Sequence, residues 1–153
     1  MAHQDSRLLR LDQQLCFPLY SLSRQVTQAY QPLLRPLGLT YPQYLVMLVL
    51  WQAEAEQRLP LAVSDLCREL MLDTGTVTPL LKRMAERGWL TRERCQQDER
   101  RVLIDLTEAG LQLRDKAQAI PEQLLCRLSL PLEEVERMRE QLQQWQRQLQ
   151  QLL

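Results

Sequence analysis

Four cysteines, Cys16, Cys67, Cys95 and Cys126, are the side chains of this sequence with the most reactive chemistry. A cysteine attacks a peroxide as its thiolate, so a sensing or catalytic thiol needs both access and neighbours that favour the charged sulfur. The four lie far apart, without the CxxC spacing of a zinc site, and a helical chain of this size needs no disulfide staples. Neither structural zinc, nor another metal, nor a permanent disulfide is expected, and no cofactor is indicated. The ordinary alternative is that a cysteine on an amphipathic helix is an inert packing residue. An enzyme, a thiol peroxidase, is a competing reading, but no thioredoxin-like βαβ pattern or Gly-rich phosphate loop supports it, and we expect no enzyme. His3, the single histidine, is given no role.

A second group carries binding chemistry. Thr74, Gly75, Thr76 and Thr78 precede Lys82 and Arg83, placing small hydroxyl residues before cations. From Lys82 to Arg101 seven basic residues face four acidic ones, although the chain as a whole is neutral, with 19 of each. Any attraction for nucleic acid must therefore come from this local bias. The plain alternative is a set of solvated surface charges.

The elements around these residues decide between the readings. With four glycines and eight prolines, the 153-residue chain reads as long helices broken by proline plus one short β element. Leu8, Leu11, Leu15, Leu19, Leu22 and Val26 recur at helical spacing, predicting an amphipathic helix from about Asp5 to Leu34 that Pro18 kinks or interrupts. Thr40 is placed to cap a second, almost wholly apolar helix over Pro42 to Ala53. Ser64 then reads as the cap of a short helix, Asp73 or Thr74 as the cap of another, and Gly88 as its stop. Two short helices joined by a tight turn form a helix-turn-helix. The segments WLTRERC and RVLIDL alternate apolar and polar residues around QQDER, which predicts a two-stranded hairpin, the wing.

Thr107 is expected to cap a helix from Glu108 to about Leu128, and Pro131 to open a last one with a stripe of Leu132, Val135, Met138, Leu142, Trp145 and Leu149. The reading is thus a mainly α, single winged helix-turn-helix domain over 1–153. Helices in 5–35 and 108–153 would form a dimerisation layer around a DNA-binding lobe at 61–106. The absence of a signal-peptide-like or membrane-spanning apolar run leads us to expect a cytoplasmic protein with no membrane partner.

In such a lobe the second helix enters the major groove, where Thr74, Thr76 and Thr78 face bases or phosphates and Gly75 permits close approach. Lys82 and Arg83 pair with phosphates. At the hairpin tip, Arg100 is placed to enter a minor groove beside Arg101, with Asp98 bracing the turn.

The run DERRVLIDLTEAG resembles the wing signature of the MarR family, and LDTGTVTPLLKRMAERGWL resembles that family's recognition helix. The resemblance extends over essentially the whole chain. It implies a two-fold homodimer on double-stranded, near-palindromic operator DNA. Within the family, LCFPLYSLSRQVTQAYQPLLRPLGLTYPQYLVMLVLW is similar to the OhrR branch of repressors that respond to organic hydroperoxides. That similarity implies a reactive Cys16, thiolate-contacting Tyr30 and Tyr41 from the other subunit, and Tyr20 nearby. It also implies a resolving Cys126 that forms an intersubunit disulfide with Cys16. Cys67 and Cys95 are assigned to packing and to the wing strand. The alternatives within the same fold are tyrosines that merely fill an interface and a repressor induced by a small aromatic ligand.

Overall fold

A computed structural model describes residues 6–152, so Asp5, the expected helix start, and His3 lie outside the described residues. Among those described, seven α-helices and three short strands follow one another. Helix α1 spans Cys16–Leu34, α2 Tyr41–Ala55, α3 Val63–Leu70 and α4 Thr74–Glu86. Strands β1 (Leu61–Ala62), β2 (Leu90–Arg94) and β3 (Val102–Leu106) form an antiparallel sheet in the order β1-β3-β2. Helices α5 (Glu108–Ala117), α6 (Ile120–Leu128) and α7 (Leu132–Gln150) follow. This is the mainly α, winged helix-turn-helix fold that the sequence predicts.

The caps explain most boundaries. The Thr40 hydroxyl accepts from the Gln43 N–H at 3.4 Å while the Gln43 side chain accepts from the Thr40 N–H at 3.0 Å, a reciprocal cap that starts α2. The Asp73 carboxylate accepts from the Thr76 N–H at 2.8 Å and so starts α4. At the other end, Gly88 at φ +75° lets the N–H groups of Gly88 and Trp89 reach back to the carbonyls of Ala85 and Met84.

Four sequence expectations need correction. The N-terminal segment is not one continuous helix: of the two effects expected of Pro18, it is interruption and not a kink that occurs. Ser6–Leu9 and Leu11–Gln13 are 3₁₀ turns, and α1 starts only at Cys16. In a continuous helix the Pro18 ring would meet the carbonyl of Gln14, and Gln14 is extended instead (ψ 122°). The expected helix from Glu108 to Leu128 is two helices, separated at Gln118 and Ala119, because the Pro121 ring excludes a helical partner at Ala117. Ser64 is not the cap of α3. The helix begins at Val63, and the Asp65 carboxylate accepts from the Ala62 N–H at 3.1 Å. The sheet has a third strand, since Leu61 and Ala62 pair with Ile104 and Leu103. Two residues are too few for alternation to reveal.

The chain forms two compact units, one ending at Gln118 and one beginning at Ala119. In the first, the apolar α2 is the central element: Val46, Met47 and Leu50 are inaccessible to solvent, as are Leu66 of α3, Val77, Leu81 and Met84 of α4 and Ile104 of β3. In the second, α7 displays Leu132, Met138, Leu142, Trp145 and Leu149 as an exposed stripe. Leu15, Phe17, Leu19 and Leu22 are likewise exposed at the start of α1. None of the described helices is long and apolar enough to cross a membrane by itself.

One glycine is required by packing. A Cβ on Gly110 would lie 2.1 Å from the Trp89 carbonyl oxygen and 3.0 Å from Leu106 Cδ2. The first obstacle is backbone, so no rotamer relieves it. The same junction holds the Trp51 Nε1–H bond to the Gly110 carbonyl (2.9 Å) and the Thr107 N–H bond to the Trp89 carbonyl (3.2 Å). Gly110→Ala is therefore expected to lower stability by about 3 kcal/mol, the upper range for overpacking. Gly75→Ala, which meets only the end of the Asp73 side chain, should cost far less. Denaturant melts of the two variants beside the parent check this; equal stabilities would refute it.

Candidate nucleic-acid interface and thiol site

Helices α3 and α4 pack against each other across the short turn Met71–Asp73, and α4 leads through Gly88 directly into β2. Thr74, Gly75, Thr76 and Thr78 occupy the first turns of α4, and Lys82 and Arg83 its exposed C-terminal half. Thr76 is committed to the cap, its hydroxyl donating to Asp73 at 3.0 Å. Those contacts hold the Asp73 carboxyl below its ordinary range. The Thr74 hydroxyl lies 3.8 Å from the Cys67 sulfur on α3.

At the wing tip the Asp98 carboxylate accepts from the Arg100 backbone N–H at 3.1 Å and from its guanidinium Nε at 3.2 Å. The Asp98 carbonyl also accepts from the Arg101 N–H at 2.9 Å. Asp98 thus braces the turn and aims Arg100, which is almost fully exposed. The ion pairs are unevenly distributed. Among the described residues, Arg58, Arg68 and Arg114 pair with carboxylates elsewhere in the fold. Lys82, Arg83, Arg92, Arg94 and Arg101 pair with none. Unneutralised cations thus line α4 and the hairpin, as they also do α1, α6 and α7, where Arg24, Arg127, Arg137, Arg139 and Arg147 have no ion pair among the described residues.

The candidate sensing residues fall in three places. Cys16 is the first residue of α1 and is exposed. Helix starts favour negative charge because their N–H groups lack intrahelical partners. Tyr20, one turn on, is exposed and sits under Arg24, whose guanidinium carbon is 5.8 Å from the ring centroid. Tyr30 and Tyr41 are brought together, their centroids 4.9 Å apart. They join Tyr44, 5.6 Å from Tyr30, which stands edge-on to Trp51 at 6.4 Å. Loss of solvent raises the pKa of Tyr30 and Tyr41, and pushes Tyr44 up to about 12. Among the described residues neither the Tyr30 nor the Tyr41 hydroxyl has a hydrogen-bond partner.

Cys16 and Tyr30 are not brought together within one chain. Fourteen residues of helix separate them, about 21 Å at 1.5 Å per residue. Cys126 is exposed on α6 in the second compact unit, while Cys67 and Cys95 are half-buried. Tyr44 and Trp51 were not singled out from the sequence. They lie in the uniformly apolar α2, where periodicity does not distinguish a functional aromatic from a packing one.

The profile of the family described as transcriptional regulator SarA/Rot matches residues 28–117. The organic hydroperoxide resistance transcriptional regulator of Bacillus subtilis (strain 168) is 50% identical over 76% of this chain and 76% of its own length. The chain is a MarR-type transcriptional regulator of the SarA/Rot family. Its fold agrees with reduced AbfR bound to DNA, at 36% identity and a TM-score of 0.76 over 95% of this chain and 99% of that one. AbfR is a protein of Staphylococcus epidermidis. The disulfide-formed state of AbfR gives a TM-score of 0.61 at 34% identity, over 95% of this chain and 98% of that one.

Proposed function

We propose that this regulator is a homodimeric repressor that leaves operator DNA when an organic hydroperoxide oxidises Cys16. The Cys16 thiolate attacks ROOH, the O–O bond breaks, and one proton is taken up to give Cys16 sulfenic acid and ROH. The Cys126 thiol of the other subunit then displaces water from the sulfenic acid, forming a disulfide. Two electrons pass from the two thiols to the peroxide, and no other oxidant is needed.

One observation carries this reading. Tyr30 and Tyr41 form a pair of phenols with unused hydroxyls, and Tyr30 stands about 21 Å along α1 from the exposed Cys16 of the same chain. Two α1 helices running antiparallel about a two-fold axis would bring each phenol pair to the other subunit's sulfur. The exposed apolar residues of α1 and α7 supply surface for that dimer, with the helices of 5–35 and 108–153 as its layer. Leu15, Phe17 and Leu19 beside Cys16 favour an apolar peroxide over hydrogen peroxide. The lower similarity to disulfide-formed AbfR than to its reduced, DNA-bound state supports a shape change on disulfide formation. The recognition helix with Thr74, Gly75, Thr76, Thr78, Lys82 and Arg83 would occupy a major groove, and Arg100 and Arg101 an adjacent minor groove.

A second reading, induction by a small aromatic ligand, is favoured by an open groove of ≈ 700 Å³ between α1 and α2, lined by Thr27, Gln31, Arg35 and Tyr41. One experiment addresses both. Protein on operator DNA is treated with one equivalent of cumene hydroperoxide, and affinity and non-reducing electrophoresis are followed together. Release should coincide with a dimer-sized band that disappears on reduction. Release by an aromatic compound under strictly reducing conditions, with none by peroxide, would replace the first reading by the second.

A further inference from the structure

Strand β2 breaks its own pattern at Arg92. Side chains two apart share a face of a strand, so Arg92 lies on the face of Leu90, which is buried, and is paired in register with Ile104, which is inaccessible. An apolar residue belongs there. Instead the strand places a guanidinium whose Nε is sealed from solvent and has no hydrogen-bond partner, the one such buried side-chain atom among the described residues. No described carboxylate pairs with it. Arg92 as a whole is half-buried, so its sealed Nε is a single donor left without an acceptor, and an anion reaching the guanidinium from the open side would answer the charge.

The space in front of it is shaped for one. Arg92 opens into a concavity of ≈ 300 Å³ walled by Ser64 in the first turn of α3, by Thr74 and Thr78 of α4, and by Arg100 and Arg101 of the wing. Three arginines and three hydroxyl residues line the space, and no acidic residue does. The nearest wing acid, Asp98, is engaged by Arg100. Thr74 and Thr78 stand one helical turn apart on the α4 face toward the hairpin. The free N–H groups of the α3 start add a further anion-favouring wall.

We propose that this concavity seats a backbone phosphate of the bound duplex, with Arg92 as its principal donor and Ser64, Thr74 and Thr78 as hydroxyl donors. The inference rests on the DNA-binding reading above. Of the bases and phosphates open to Thr74 and Thr78 it assigns them phosphate, and it gives Arg92 a positioning role rather than a sequence-reading one. Because the seat lies between wing and recognition helix, a single phosphate fixes the angle at which both enter their grooves.

The test compares Arg92→Gln and Arg92→Lys with the parent on operator and scrambled duplexes over a range of salt. Arg92→Gln should weaken binding to both duplexes by a similar factor, about 10-fold at 0.1 M salt. The slope of log affinity against log salt should become shallower by about 0.9, the value of one released phosphate contact. Arg92→Lys should keep the parent slope. Melting temperature in the absence of DNA should be unchanged or higher in Arg92→Gln, because a sealed donor without an acceptor has been removed. An unchanged slope, a loss confined to the operator, or a lowered melting temperature that accounts for the weakened binding would each overturn the seat. So would stabilisation by free inorganic phosphate at constant ionic strength, lost in Arg92→Gln without a change in slope, which would assign the site to a small anion. If the parent itself binds neither duplex, the DNA-binding reading fails instead.

Discussion

Cys16→Ser protein is expected to remain on operator DNA after an equivalent of cumene hydroperoxide that removes the parent. Serine is nearly isosteric but has no accessible anion near neutral pH, so the O–O bond is not attacked and no later step begins. Position 16 is exposed at the start of α1, so the exchange should leave stability and resting operator affinity within a few tenths of a kcal/mol. Cys126→Ser separates the two chemical steps. It should consume one equivalent of peroxide and yield a sulfenic acid that a dimedone-type reagent traps, yet form no dimer-sized band and stay bound to DNA. Cys67→Ser and Cys95→Ser should respond as the parent does. Peroxide-driven release from Cys16→Ser at the parent rate would remove the thiol from the switch altogether.

How much of this was legible before the structure follows from the range of each interaction. Caps are local, and Thr40, Asp73, Gly88 and Thr107 each declare a boundary within four residues of themselves. Helix α4 and the β2–β3 hairpin were therefore readable to within a residue or two. Proline is also local, but its effect depends on where the helix would otherwise run. Pro18 left a kink and an interruption both open and Pro121 read as a helical residue, whereas each excludes the residue four earlier and so sets a helix start. The two-residue β1 exists only because β3 offers it an edge.

The candidate site divides in the same way. The basic bias of Lys82–Arg101 is visible in the sequence, but which cations lack partners is not, because pairing depends on contacts such as Arg58 with Glu69 and Arg114 with Glu54, eleven and sixty residues apart. Arg92 left a legible trace, a charge on the inward face of an otherwise regular strand, and that trace gains meaning only once Ser64 and Thr78 stand opposite it. Tyr44 left none. Its part in gathering Tyr30 and Tyr41 emerges from the packing of α1 on α2, and its edge contact to Trp51 joins that cluster to α5 through the Gly110 carbonyl.

The phenol pair supplies the other large effect, and it locates the partner. Replacing Tyr30 and Tyr41 by Phe removes two hydroxyls that are expected to donate to a charged sulfur, each worth about 1.5 kcal/mol or more, so the double variant should react with hydroperoxide about 10²-fold more slowly. Desolvation holds both phenols protonated past the ordinary tyrosine value, so their donors persist as the pH rises to about 10. Because the lost donors favour the charged sulfur, the ratio of parent to variant rates should be largest near pH 6 and narrow as the pH rises towards 9. Mixing then tests the arrangement. A heterodimer of Cys16→Ser with Tyr30→Phe/Tyr41→Phe carries its one thiol on the chain without phenols. If the phenols act across the two-fold axis, that thiol meets the intact pair of its neighbour and one fast site per heterodimer returns. If they act within a chain, every surviving thiol is slow, and the 21 Å of helix between Cys16 and Tyr30 would have to be closed by a rearrangement that α1 does not permit as one continuous rod.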